Sequence, residues 1–116
     1  MTREHQPTAV HLLVTTTLPG EAQAARIAEA AVRERLAACA QVEGPIHSTY
    51  HWQGALEHAT EWYCHLKTTR DRYQALESLI RSLHPYEVPE VVATPIVAGH
   101  EAYLRWIDQE VRSEDG

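Results

Sequence analysis

On either side of Gln53-Gly54 the sequence alternates with a two-residue period, and a hairpin of that length leaves few folds open. On the outgoing arm Ile46, Ser48, Tyr50 and Trp52 share one face, with His47, Thr49 and His51 on the other. The return arm, about Glu57 to Thr68, sets His58, Thr60, Trp62, Cys64, Leu66 and Thr68 against Ala59, Glu61, Tyr63, His65 and Lys67. Two strands alone are marginal in water, so the hairpin needs partner strands and a covering layer. Its tip carries Trp52, close to Tyr50, which is more aromatic surface than one small domain covers. Contact with another subunit at Trp52 and Tyr50 is therefore expected.

The flanking segments supply that partner layer. Val10 to Thr17 is an apolar, β-branched run that reads as a strand and stops at Leu18-Pro19-Gly20. A helix follows, with Glu21 in its first turn and Ala24, Ile27, Ala28, Ala31, Val32 and Leu36 on one stripe. The next strand opens at Gln41 and is broken by Gly44-Pro45. After the hairpin, Thr69 or Asp71 is placed to cap a second helix, with Gln74 in the capping-box position. Its apolar positions are Tyr73, Leu76, Leu79, Ile80 and Leu83. Pro85 biases His84 away from helical angles, so this helix ends at about Leu83. Val91 to Val97 reads as a strand in which Pro95 marks an edge or bulge. A last helix, about His100 to Val111, presents Tyr103, Leu104, Ile107 and Val111 on one side. The ends, 1–8 and 113–116, read as frayed. The order β-α-β-β-α-β plus a C-terminal helix is an α+β, ferredoxin-like sandwich, one domain across residues 1–116. That fold hosts many activities and decides none.

Composition removes several classes of function. A net charge of −6 argues against nucleic acid, which needs clustered Lys and Arg. No apolar run is long enough to span a bilayer, and the polar opening residues lack the form of a signal peptide, so a cytoplasmic location with no membrane contact is expected. Cys39 and Cys64 lie in apolar contexts without CxxC spacing and read as reduced core thiols rather than zinc ligands. The eight histidines read, one by one, as surface or half-buried strand residues. No nucleophile elbow, phosphate loop or HExxH occurs, so no catalytic residue is assigned and the chain does not read as an enzyme.

The densest chemistry is His84-Pro85-Tyr86-Glu87-Val88-Pro89-Glu90. Its two prolines make a stiff connector with an imidazole at one end and a carboxylate at the other. Fully extended, it holds His84 and Glu90 about 20 Å apart. One ion bridges both only if the segment turns back or a second chain contributes. His84 also suits a plain helix C-terminal role, and Glu90 a salt bridge across a subunit boundary. Tyr86 reads as a packed aromatic whose hydroxyl reaches a cleft. Lys67 needs a carboxylate such as Glu61, or an anionic ligand.

With this pattern laid out, the chain resembles the CutA family, the divalent-cation tolerance proteins, over about Val10 to Val111. The resemblance rests on Val14-Thr15-Thr16, Leu36-Ala37-Ala38-Cys39-Ala40, Ser48-Thr49-Tyr50-His51-Trp52-Gln53-Gly54, Lys67-Thr68-Thr69, the connector above and Tyr103-Leu104-Arg105-Trp106-Ile107. It implies a cytoplasmic homotrimer similar to the PII signalling proteins, with clefts between subunits and copper or other divalent cations such as zinc as ligands; no cofactor is obligatory. Some members use a Cys, a His and a Glu at the proposed copper site. His84 and Glu90 occupy matching positions here, while the Cys position falls on Thr16, leaving a harder N/O donor set. Two functions stay open: a trimer that binds divalent cations weakly at His84 and Glu90, or a PII-like sensor or scaffold whose cleft takes a small anion or a partner segment at Lys67 and Tyr86.

Overall fold

A computed structural model describes residues 10–112; the expected frayed ends lie outside them. The elements are β1 (His11–Leu18), α1 (Glu21–Arg33), β2 (Cys39–Trp52), β3 (Ala55–Thr69), α2 (Tyr73–Leu83), β4 (Val91–Pro95) and α3 (Glu101–Glu110). The sheet is antiparallel throughout, in the order β2-β3-β1-β4. Two interleaved βαβ units give this order, so the ferredoxin-like expectation holds.

Even-numbered residues of β1 and β3 face α1 and α2. Leu12, Val14, Leu18, Cys64 and Leu66 meet Ala24, Ile27, Ala31, Leu76 and Ile80 in one buried cluster. Alanines on the inner stripe of α1 let its axis lie close to the sheet. Val32 stays exposed, and Leu36 packs from beyond the end of the helix, after Arg35 turns the chain at φ 60°. The helix α3 does something the periodicity leaves open: it crosses the opposite face, at one end only. His11 Nε2 meets Asp108 Oδ1 at 2.8 Å, the Cys39 thiol lies 3.4 Å from the Tyr103 hydroxyl, and Ile107 and Val111 bury against Ala38.

Several local expectations are corrected. Gly44-Pro45 does not end a strand; β2 runs through it on a bulge between Glu43 and Ile46. Gly44 has no room for a side chain there, because a Cβ would run into the Trp62 indole. The return strand begins at Ala55, since Gln53 and Gly54 both take positive φ and close a two-residue turn. No side chain caps α2: the Thr69 hydroxyl donates to Asp71 at 2.6 Å instead, and a short 3-10 turn, Arg70–Arg72, leads into the helix. β4 stops at Pro95 on an open edge of the sheet. Tyr103 is exposed and stacks on Trp106 rather than joining the apolar side of α3. Of the two thiols only Cys64 is core, and burial pushes it up to about 12; Cys39 is half-buried.

Beyond the Leu18–Trp62 pair, β1 no longer accompanies β3, so 46–52 and 55–61 form a two-stranded ribbon. The bulge puts Ile46, Ser48, Tyr50 and Trp52 on the same face as Glu61, Tyr63, Thr15 and Val92. Apart from the end under α3 and Glu61, which Tyr86 of the connector meets, no helix covers this face among the described residues. Tyr50 is 42% exposed and Trp52 44%.

Candidate functional site

The connector after α2 folds back on the sheet. Its two ends reach adjacent residues of β1: His84 bonds to the Thr17 carbonyl, and Val91, which follows Glu90, pairs with Thr16. The straight 20 Å span is therefore not realised.

Hydrogen bonds fix the His84 ring. Nε2 lies 2.8 Å from the Thr17 carbonyl oxygen, which only accepts, so Nε2 carries the proton. Nδ1 accepts the Tyr86 amide N–H at 3.2 Å. Both nitrogens are thus engaged, and neither is left for an ion while these bonds stand. Burial holds the imidazole below its usual value, against the opposing pull of the Thr17 carbonyl and Glu61. The ring is neutral at pH 7.

Tyr86 stands beside His84, ring centroids 5.0 Å apart. Its hydroxyl donates to Glu61 Oε2 at 2.7 Å. Glu61 is only 6% exposed, an unusual position for a carboxylate on a ribbon. Burial and the Glu61 hydrogen bond push the Tyr86 hydroxyl well above the ordinary phenol range. The chain Thr17–His84–Tyr86–Glu61 therefore clamps the connector to β1 and the base of the ribbon.

The other candidate residues fall as follows. Glu90 is exposed. Lys67 does not reach Glu61; its Nζ donates to Gln41 Oε1 at 3.1 Å, six residues along β3 from the carboxylate it was expected to pair with. Thr16 is fully buried on the helix face, opposite Cys64, and its hydroxyl has no hydrogen-bond partner. Among the described residues, no three His, Cys, Asp or Glu side chains gather to hold an ion. A cavity of about 590 Å³ lies at the far end of β1 from Thr17, lined by Arg70, Asp71, Arg72, Asp108 and Arg112 among others, and none of the expected site residues borders it.

A family model for the CutA1 divalent ion tolerance protein matches residues 12–110. The chain belongs to the CutA family. It is 42% identical over 95 residues to the divalent-cation tolerance protein CutA of Thermus thermophilus, covering 82% of this chain and 92% of that one. It is 42% identical to mouse protein CutA over 97 residues, 84% of this chain but only 55% of the mouse protein. So it spans about half of that relative. The crystal structure of CutA1 from the psychrotrophic bacterium Shewanella sp. SIB1 superposes with a TM-score of 0.88 at 39% identity, covering 92% of this chain and all of the other. The CutA family is named for tolerance of divalent ions rather than for a reaction. No helix among the described residues is long and apolar enough to cross a membrane.

Two consequences follow for the site. Thr16→Val keeps the side-chain shape and removes a buried hydroxyl that has no partner, so it should stabilise the fold by about 1–2 kcal/mol. Urea midpoints check this, and a lower midpoint would show that the hydroxyl has a ligand. The second concerns pH. Because the fold favours neutral His84, the stability it lends is whole above about pH 6.5 and is lost as pH falls through the lower folded value. Protonation also removes the acceptor for the Tyr86 amide. Melting temperatures at pH 7.5 and pH 5 should therefore diverge more for the wild type than for His84→Gln; equal divergence would take His84 out of the account.

Proposed function

We propose that this chain is a subunit of a cytoplasmic homotrimer that binds divalent cations, copper or zinc, weakly at the clefts between subunits. The observation that carries the reading is the ribbon beyond Trp62. It has an uncovered aromatic face and an open β2 edge, and the second open edge of the sheet is β4. Apolar surface and unpaired strand edges of this kind are satisfied by another copy of the chain. Family membership supplies the divalent cation. The two free thiols suit a reducing compartment.

At the cleft, His84 and Glu90 are the proposed ligands. Taking an ion at His84 Nδ1 requires release of the Tyr86 amide, a cost that keeps affinity low, and a neighbouring subunit completes the set. The nitrogen and oxygen donors suit Cu(II) or Zn(II) better than Cu(I). Calorimetry with each metal on wild type and His84→Ala tests the site: weaker binding by the variant supports it, and equal binding removes His84.

A further inference from the structure

The cavity at the far end of β1 carries charge that the cleft does not use. It lies between the Arg70–Arg72 turn and the C-terminal end of α3. Arg70 and Arg72 line it from the turn and Arg112 from beyond α3. Three of the ten basic residues in a chain of net charge −6 therefore border one space. Such a gathering reverses the overall balance and makes a local field that draws anions. Its volume, about 590 Å³, lies within the span of about 300–1,000 Å³ usual for small-molecule sites.

Two carboxylates share the lining, but each already has a partner. Asp71 Oδ1 accepts the Thr69 hydroxyl at 2.6 Å, and Asp108 Oδ1 meets His11 Nε2 at 2.8 Å. Neither forms an ion pair with Arg72 or Arg112 among the described residues. Arg72 decides the sign of the site. It is half-buried, and its Nε donates to the Arg35 carbonyl at 3.4 Å. A neutral carbonyl anchors the guanidinium without neutralising it. The two terminal nitrogens, the fork that grips an oxyanion with two parallel bonds, have no acceptor among the described residues. A half-buried cation with no counter-ion is uncommon in a folded chain.

We propose that this cavity binds a small, doubly charged oxyanion, a phosphate monoester or a dicarboxylate. Arg72 is the bidentate contact, and Arg112 is the contact from the opposite wall. No aromatic ring is among the described lining residues. A nucleobase would find nothing to stack on, so the rest of the ligand is small and aliphatic. This site shares no residue with the cleft at His84, Glu90, Lys67 and Tyr86, and the two fail independently.

The test is titration of the full chain with inorganic phosphate and, separately, with malonate, at constant ionic strength, followed by the backbone amide resonances. Expected are saturable shifts confined to residues 69–72 and 108–112. Saturation by phosphate alone assigns the phosphate monoester, by malonate alone the dicarboxylate, and by both the shared oxyanion chemistry. Arg72→Gln should weaken binding by about tenfold or more. Arg112→Gln should weaken it by about threefold or more. Arg112 is exposed, so its replacement leaves the fold intact should Arg72→Gln disturb it. Lys67→Gln, on the rival anion site, should change nothing here. Circular dichroism establishes that each variant is folded. The proposal is overturned if neither anion saturates by about 20 mM, where a millimolar site would be filled. It is overturned equally if both arginine variants bind like the wild type, or if Lys67→Gln weakens binding as much as they do.

Discussion

Trp52→Lys is expected to release single chains at micromolar concentration. Trp52 and Tyr50 sit two residues apart on one face of the ribbon, 44% and 42% exposed among the described residues. Interfaces concentrate their energy in such aromatic anchors and exclude charge from their centres. Losing one anchor costs about 2–4 kcal/mol, or about 30- to 1,000-fold in dissociation constant, at each interface. A closed ring repeats that loss at every seam. Lysine adds the cost of burying an ammonium with no partner, whereas Trp52→Phe keeps most of the apolar area and should stay assembled. Sedimentation velocity over a dilution series reads the difference directly. A Trp52→Lys protein that sediments like the wild type would place the interface elsewhere.

Tyr86→Phe is the second large effect, a loss of about 2–3 kcal/mol. The phenol donates to a carboxylate that is 6% exposed, and it is the donor that Glu61 meets among the described residues. Removing it leaves a buried charge without a partner, which costs more than the net worth of an ordinary hydrogen bond. Glu61→Gln supplies the control. A glutamine oxygen still accepts the phenol, and in that background the same Tyr86→Phe change should cost under about 1 kcal/mol, because no charge is stranded. Denaturation of the four proteins of this cycle gives the coupling. A near-zero cost for Tyr86→Phe alone would mean that solvent or a neighbouring chain already serves Glu61.

The fold was legible because each element repeats its own signal. Alternation through 46–68, the stripe on α1 and the stop at Leu83 before Pro85 are periodic or local, and the order of elements then leaves one sheet topology. What escaped depends on partners distant in sequence. Nothing near Gly44 announces the Trp62 indole lying against it, so Gly-Pro reads as a break although the strand passes through. Thr69 and Asp71 carry capping chemistry but spend it on each other. Lys67 and Glu61 lie on one face of β3, yet Gln41 is nearer to one and Tyr86 to the other. The candidate site was legible as a segment and not as a geometry. His84 and Tyr86 could be singled out from composition, but the carbonyl of Thr17 and the amide of Tyr86, which occupy both imidazole nitrogens, carry no sequence signal. Spacing alone also gave no hint that α3 would leave the ribbon end of its face open.

That open face makes the central claim directly measurable. Sedimentation equilibrium of the wild-type chain at micromolar concentration should give a species three times the 13.1 kDa chain mass, unchanged on tenfold dilution. A folded species of single-chain mass would contradict it, because the ribbon would then be stable with its aromatic face in water and no cleft between subunits would exist.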